Sequence, residues 1–396
     1  MRTTLTPSFT SSKMKIIFQL LSDCALEFTK HFERQNQNVY NLDMKDAFTR
    51  FTNDAIASVA FGLHCNSLEE RNNEFYENGK NITSFKGFRF LILILNSICP
   101  KFVKIFQVSL FPPKENFFHS VIKETIRKRE KEGLIRPDMI HLLLEARNAA
   151  RPQIEQNSND AEAESKSQLL NDSPVSYLTD EDITAQALIF FIAGFESSAT
   201  LMSFLSYELA LHPEIQKRLR IEIDETSRNC NGKLTYEALH KMNYMDMVVS
   251  ETLRKWPPLY QIDRVCTKDY IIEPVNNTEK SLLIKTGAQI MVPVVGIHRD
   301  PKYFPSPEKF DPERFSRENK DKIEPYSYLP FGLGPRICIA SRFATMECKT
   351  LMFYLLSKFE IVPIEKTSIP IVLQEGAFNV NSKTGIWLGL KLRYSK

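Results

Sequence analysis

The stretch FGLGPRICIA, residues 331–340, places one cysteine in a turn that otherwise holds glycine, proline, arginine and apolar residues. A zinc site would need a second ligand two to four residues away, and none is present. A thiolate at the head of a helix is favoured by the helix N-terminus and is a strong ligand for iron. The turn therefore indicates a single soft ligand for a haem, whose ring supplies the other donors. The alternative is a loop with a buried cysteine that has no chemical role.

A second stretch, AGFESSAT at residues 193–200, puts polar residues inside an otherwise apolar segment. Gly194 within a helix costs about 1 kcal/mol relative to alanine, so its presence needs a reason. Glu196 and Ser197 supply an acid and a hydroxyl, which are groups that could deliver protons to a ligand pressed against the helix. The alternative is a kinked helix in which a serine bonds to the preceding turn.

A third stretch, ETLR at residues 251–254, places Glu251 and Arg254 three residues apart, where they share one helix face and can form an ion pair. The surrounding face is apolar, which predicts a buried pair, and a buried pair needs further partners. Arg314, in PERF at residues 312–315, is the predicted third member. The alternative for such a pattern on its own is an ordinary surface pair.

The secondary-structure elements that must position these residues are predicted to be mostly helices. Apolar spacing predicts helices over 51–61, 121–132, 244–256 and 341–359. The longest pattern starts at a capping pair, Thr179 and Asp182, and ends at Leu211, so that about 32 residues would span roughly 48 Å through the core. β-branched runs predict strands within 260–294 and a hairpin over 371–392. The predicted fold is mainly α with a small β-sheet region, in one domain over residues 1–396, with a polar linker at 148–176.

Composition narrows the class of protein further. The net charge of +3 is too small to favour nucleic-acid binding. The seven cysteines are odd in number and lack CxxC spacing, which indicates a reducing compartment. The N-terminus lacks a signal-peptide core, and no segment reaches the ~20 apolar residues of a spanning helix. We therefore expect no integral membrane segment within these residues.

Together the three stretches resemble those of the cytochrome P450 haem-thiolate monooxygenases. FGLGPRICIA resembles the cysteine loop of that family, ETLR with PERF resembles its paired-helix motif, and AGFESS resembles its oxygen-activating helix. Order and spacing agree over essentially the whole chain, and RTTLTPSFTSSKMK, DAIASVAFG and RNNEFY look most like insect microsomal members. The resemblance implies the cytochrome P450 fold and the insertion of one oxygen atom from O2 into a small lipophilic substrate, while the other oxygen becomes water.

The resemblance also implies roles for individual residues. Cys338 is the expected axial ligand of haem b, and Glu196 with Ser197 is the expected acid–alcohol pair for proton delivery. Further haem contacts are expected from Phe331, Gly332, Gly334 and Ala193, and from three arginines at the propionates, Arg2, Arg264 and Arg336. The expected substrate pocket contains Ile189, Ile192, Ala193, Leu259, Ile262 and Phe378, while Glu251, Arg254 and Arg314 are expected to be structural.

The partners that the resemblance implies are a reductase, O2 and a membrane surface. Electrons are expected from NADPH through NADPH–cytochrome P450 reductase, with cytochrome b5 as a further donor. The expected location is the cytosolic face of the endoplasmic reticulum membrane, where FLILIL at 90–95 is either core or a bilayer contact. The expected substrates are xenobiotics such as insecticides or plant toxins, or else hormones or lipids. Haem-thiolate chemistry without external electrons is disfavoured because Glu196 and Ser197 are both present.

The sequence departs from the family pattern in three places. Ala340 stands where the family has glycine, and Ser197 replaces the commoner threonine but keeps the hydroxyl. The membrane anchor, hinge, first helices and first strands of the family are absent, so we expect an N-terminally truncated chain. Apolar surface left uncovered, at about 25 cal/mol per Å², predicts low stability and weak haem binding. The alternative function is therefore a non-catalytic remnant that binds haem poorly or not at all.

Overall fold

The computed structural model describes residues 9–35, 37–83, 91–92, 95, 117–136, 138–148, 178–375 and 379–393. These residues are mostly helical and carry small antiparallel sheets, which confirms the predicted fold class. Residues 139–148 are helical, and the other α-helices are α1 (Ser11–Arg34), α2 (Met44–Ile56), α3 (Glu74–Thr83), α4 (Phe117–Glu132), α5 (Asp180–Leu211), α6 (Pro213–Asn229), α7 (Tyr236–His240), α8 (Asn243–Lys255), α9 (Val294–His298) and α10 (Ser341–Lys358).

Helix α5 is the predicted long helix, and its capping pair is confirmed. The Thr179 hydroxyl accepts a hydrogen bond from the Asp182 amide at 3.1 Å, and the Asp182 carboxylate accepts one from the Thr179 amide at 3.0 Å. The helix is long and apolar enough to cross a membrane, yet 61% of its most apolar stretch is buried inside the protein. Its buried side chains include Phe191, Phe195 and Leu205. Helix α5 is therefore the core helix on which the other elements pack.

Helix α2 lies directly against α5 and begins earlier than the predicted residue 51. The Asp43 side chain accepts a hydrogen bond from the Lys45 amide and so caps the helix at Met44. The second half of the helix predicted over 51–61 is a π-helical segment, Ala57–Phe61, that follows α2 directly. Thr52 donates its hydroxyl hydrogen to the Phe195 carbonyl at 2.8 Å, which ties α2 to the middle of α5.

The strands form three small sheets within the described residues. β1 (Val39–Asp43) and β6 (Phe359–Val362) flank β7 (Trp387–Leu392), while β2 (Ile262–Val265) pairs with β5 (Gln289–Val292) and β3 (Tyr270–Ile272) with β4 (Leu282–Ile284). All of these pairs are antiparallel. The strands predicted within 260–294 are confirmed.

The predicted hairpin over 371–392 is wrong in its second half. Leu373 and Ser382 form a single antiparallel bridge, but β7 does not turn back on that segment. Leu388 and Leu390 of β7 are buried between β1 and β6. The backbone of β7 therefore hydrogen-bonds to strands that are distant in sequence, and its leucine side chains are buried in the core.

Several predictions fall outside the described residues. Arg2, Phe378, the polar linker from residue 149 onwards and three of the six residues of FLILIL are in this group. Their expected roles stay predictions.

Candidate active site

A cavity of about 480 Å³ lies between α5, the end of α8 and the turn that leads into α10. Most of its wall is apolar, with Phe190, Ile192, Leu201, Leu253, Leu259, Ile262, Val294, Leu329, Phe331 and Phe343 among the lining residues. Polar and charged groups in the wall come from the first two stretches that the sequence singled out and also from Thr83, Arg264 and Asn379. Residues of the first two candidate motifs thus line the cavity together, and the third motif contributes Leu253 to the wall.

The turn at 331–340 holds its cysteine open to this cavity. Gly332 and Gly334 have φ of 72° and 74°, the left-handed region that side chains with a Cβ rarely adopt. A short 3₁₀ helix, Gly334–Arg336, follows, and the Cys338 amide donates to the Phe331 carbonyl at 2.8 Å. Cys338 is exposed and lines the cavity three residues before α10 begins. The backbone therefore presents the thiol just before the N-terminus of α10, as the sequence predicts.

Two of the three predicted arginines reach the same cavity. Arg264 on β2 and Arg336 in the cysteine turn both line it. The Arg264 guanidinium donates to the Asp263 carbonyl at 2.7 Å, and β2 is held in place by its pairing with β5. Two guanidinium groups in the wall of an apolar cavity could pair with a ligand that carries anionic groups.

Helix α5 supplies one wall of the cavity through the face that contains Phe190, Ala193, Ser197 and Leu201, with Ile192 beside it. Ile189 does not line the cavity within the described residues and is 59% exposed. The pocket role expected for it is therefore corrected: Phe190 occupies the position one turn before Ala193, and its ring packs on Phe343 with centroids 5.2 Å apart. Leu259 and Ile262 both lie in the wall, as expected.

Glu196 and Ser197 lie on the cavity wall but make their contacts with other parts of the protein. The Glu196 carboxylate forms an ion pair with Lys45 of α2, with 2.7 Å between Nζ and Oε2. Lys45 also donates to the Glu196 carbonyl at 3.1 Å and to the Thr200 hydroxyl at 2.8 Å. The Ser197 hydroxyl donates to the Ala193 carbonyl one turn earlier, at 2.6 Å. In this arrangement the acid and the alcohol are each held by a separate partner.

Gly194 has a packing reason that the sequence did not reveal. A Cβ at this position would lie 2.9 Å from Cδ1 of Ile56 on α2. The glycine therefore allows α2 and α5 to approach closely, and α5 continues without interruption to Leu211. Of the alternative interpretation, the serine bond to the preceding turn is present.

Glu251 and Arg254 form a fully buried ion pair at the end of α8. Both side chains are 0% exposed, and two parallel hydrogen bonds of 2.8 Å join the guanidinium to the carboxylate. Arg314 lies 3.5 Å from the same carboxylate, which also accepts the Asp311 amide at 2.8 Å. Arg254 in turn donates to the His298 carbonyl at 3.1 Å. The three predicted residues therefore lie together at one buried carboxylate.

The donor set of the cavity fits a haem. Among the described residues, no group of three or more His, Cys, Asp or Glu side chains could hold a metal ion. A metal bound at Cys338 would therefore need its other ligands from an organic ring. The apolar walls suit such a ring, and Arg264 with Arg336 suits carboxylate groups on its edge.

Comparison with known proteins agrees with this geometry. The family model described as cytochrome P450 matches residues 1–388. The chain belongs to the cytochrome P450 family. Two similar curated relatives are cytochrome P450 9e2 of Blattella germanica and probable cytochrome P450 9f2 of Drosophila melanogaster, each 42% identical over 99% of this chain and over 74% and 73% of the relative. Cytochrome P450 6k1 of Blattella germanica is 37% identical over 98% of this chain and 72% of the relative.

These relatives confirm the resemblance to insect cytochromes P450. Membership of the family makes the chain a monooxygenase and implies a haem held by a cysteine thiolate. Sequence reasoning missed Lys45, which holds Glu196, and Phe343, which lines the cavity from α10. No local pattern signals either residue, because each meets its partner across more than a hundred positions of the chain.

Proposed function

We propose that this cytochrome P450 oxidises small lipophilic molecules with electrons from NADPH delivered by NADPH–cytochrome P450 reductase, with cytochrome b5 as a further donor. The observation that carries the proposal is the Cys338 thiol, open to an apolar cavity that also contains two arginines and the polar segment of α5. The expected place of action is the cytosolic face of the endoplasmic reticulum membrane. The names of the relatives support the enzyme class, and the substrate class follows from the cavity wall.

Each site residue has a proposed task. Cys338 would hold the haem iron as a thiolate, and Arg264 with Arg336 would pair with the propionates. When bound, the haem supplies the activation of O2 that no amino-acid side chain can perform. The glycines of the turn would let the backbone come close to the sulfur, and Phe331 would pack against the haem.

Glu196 and Ser197 are proposed to control the proton supply. To deliver a proton into the cavity, the Ser197 hydroxyl must exchange its bond to the Ala193 carbonyl for one to the reacting oxygen. To replace that proton, Glu196 must leave its ion pair with Lys45 on α2 and take up a proton from water, because the carboxylate in that pair carries none. The side-chain rotations in both steps leave α5 intact. Between turnovers, the Glu196 carboxylate would thus stay in its ion pair with Lys45.

The expected substrates are neutral or weakly polar. Aliphatic and aromatic side chains from α5, β2 and α10 form most of the wall, and Glu196, the acid in it, is already paired. With Arg264 and Arg336 proposed to pair with the haem propionates, a charged substrate would lose its hydration without finding a free partner there. Insecticides, plant toxins and lipid-like hormones all satisfy this requirement.

The test is the spectrum of the reduced carbon monoxide complex in Cys338→Ala and in Cys348→Ala. Cys348 is fully buried on α10, and burial raises the pKa of its thiol, so it serves as the matched control. We expect the wild type and Cys348→Ala to show the red-shifted Soret band of a thiolate ligand, and Cys338→Ala to lack it. A band that survives in Cys338→Ala contradicts the ligand assignment, and a wild-type chain that takes up no haem supports the remnant instead.

A further inference from the structure

His298, the last residue of α9, is 0% exposed and uses both ring nitrogens. Its Nδ1 lies 3.0 Å from the Arg254 carbonyl oxygen, and its Nε2 lies 2.8 Å from the Leu329 amide nitrogen. The ring stacks on Tyr328, with centroids 5.5 Å apart and planes 24° apart. This side chain therefore connects the end of α8 to the segment that enters the cysteine turn.

The partners determine the tautomer of His298. A main-chain amide can only donate, so Nε2 accepts from Leu329, and a carbonyl can only accept, so Nδ1 donates to Arg254. Burial lowers the pKa of His298 to about 4, so the ring is neutral at ordinary pH. A neutral imidazole with one donor and one acceptor satisfies both contacts at once.

Backbone hydrogen bonds continue from Leu329 to the cysteine. The Leu329 carbonyl accepts from the Gly332 amide at 3.1 Å, and the Phe331 carbonyl accepts from the Cys338 amide at 2.8 Å. Leu329 and Phe331 also line the cavity. The position of the Leu329 amide therefore determines where the loop starts, and the loop determines where the sulfur lies.

The segment before the loop is held at a second point. The Tyr328 hydroxyl donates to the Ser250 carbonyl on α8 at 3.0 Å. On the other side of His298, its own carbonyl accepts from the Arg254 guanidinium. The buried ion pair, the histidine and the loop therefore form one continuous set of hydrogen bonds, in which the His298 side chain bonds both to the end of α8 and to Leu329.

We propose that His298 is a positioning residue for the cysteine loop, and that its Nε2 bond to the Leu329 amide sets the direction in which the Cys338 sulfur meets the haem iron. The proposal rests on the role of Cys338 proposed above. It assigns no contact between His298 and the haem. Its effect is exerted through the backbone of residues 329–338.

Two amide variants separate the two bonds of His298. In His298→Gln the side-chain oxygen reaches about as far as Nε2 and can still accept from Leu329, but the Nδ1 donor is lost. In His298→Asn the amide nitrogen reaches about as far as Nδ1 and can still donate to Arg254, but the Leu329 amide loses its acceptor. We expect both variants to melt at lower temperature than wild type. Only His298→Asn should lose most of the thiolate-type carbon monoxide band and release haem roughly 10-fold faster or more, as changes around metal ligands do.

A core variant away from the loop controls for general destabilisation. Val248 on α8 is 0% exposed, and Val248→Ala should lower the melting temperature while keeping the full thiolate band. If His298→Asn keeps the full band in folded holoprotein, or if His298→Gln loses as much of the band as His298→Asn does, the positioning role is wrong. Loss of the band in Cys338→Ala together with an intact band in His298→Asn would leave the ligand assignment standing and remove only this proposal.

A measurement on the unaltered holoprotein covers the case in which neither variant folds. Hydrogen exchange followed by mass spectrometry on short peptides that contain Leu329 reports the protection of its amide. The proposal requires this amide to be protected like those of α8. Exchange at the rate of an open loop overturns the proposal without any substitution.

Discussion

Replacing Glu251 with alanine should destabilise the protein more than most single substitutions do. The carboxylate is 0% exposed and receives two hydrogen bonds of 2.8 Å from Arg254, one of 2.8 Å from the Asp311 amide, and the charge of Arg314 at 3.5 Å. In Glu251→Ala the Arg254 guanidinium stays in the interior without its counter-charge. Its remaining acceptors are carbonyl oxygens, those of His298 and Lys309.

The expected loss is about 3–5 kcal/mol, the cost of breaking a buried ion pair by removing one partner. A protein of ordinary stability has about 5–15 kcal/mol in total. With a urea dependence of about 3 kcal/mol per molar, the unfolding midpoint should fall by about 1 M or more. We therefore expect little soluble holoprotein from this variant.

The assay is urea unfolding of purified holoprotein, together with soluble yield and haem content per chain. Glu313→Ala is the matched control, because Glu313 pairs with Arg218 at the surface in the same part of the fold and exposed pairs contribute only about 0–1 kcal/mol. Glu251→Gln keeps an oxygen for Arg254 and should fall between the two. If Glu251→Ala shifts the midpoint no more than Glu313→Ala does, the pair is dispensable and the reasoning fails.

Two further predictions concern other buried or cavity-lining groups. Burial raises the pKa of Glu347 on α10 from its ordinary 4.5 to about 8, with partial compensation by Ser198. Because the pKa of Glu347 is higher in the folded than in the unfolded protein, its contribution to the free energy of unfolding is greatest below pH 4.5. That contribution falls by about 1.4 kcal/mol per pH unit as the pH rises to about 8. Unfolding midpoints measured across that window should therefore fall less steeply in Glu347→Gln than in wild type, and equal slopes would refute the assignment. Ser197→Ala should keep full haem content but consume more NADPH per product in the presence of reductase. Ser197→Thr keeps a hydroxyl and should show the wild-type ratio of NADPH consumed to product formed. An unchanged ratio in Ser197→Ala would remove this hydroxyl from proton delivery.

Local patterns in the sequence were sufficient for five of the helices, α2, α4, α5, α8 and α10, and for the cysteine turn. The capping pair at Thr179 and the proline after Leu211 fix the ends of α5, since both act through bonds within one turn. The same holds for Gly332 and Gly334, whose left-handed φ needs residues without a Cβ. The start of α2 was missed although Asp43 carries a capping signal and the apolar spacing of Met44, Ala47, Phe48 and Phe51 is already helical.

Tertiary structure alone decided which side chains meet. Lys45 reaches Glu196 across 151 positions, and His298 reaches Leu329 across 31. Strand β7 pairs with β1 and β6 instead of folding back on residues 371–382, since its two leucines find a buried face there. Gly194 leaves room for Ile56 of α2, which is distant in sequence. The sequence by itself determined which residues could do haem-thiolate chemistry, because residue type and short spacing set local bonds. Their partners depended on contacts between distant segments, which packing selects and no single stretch encodes.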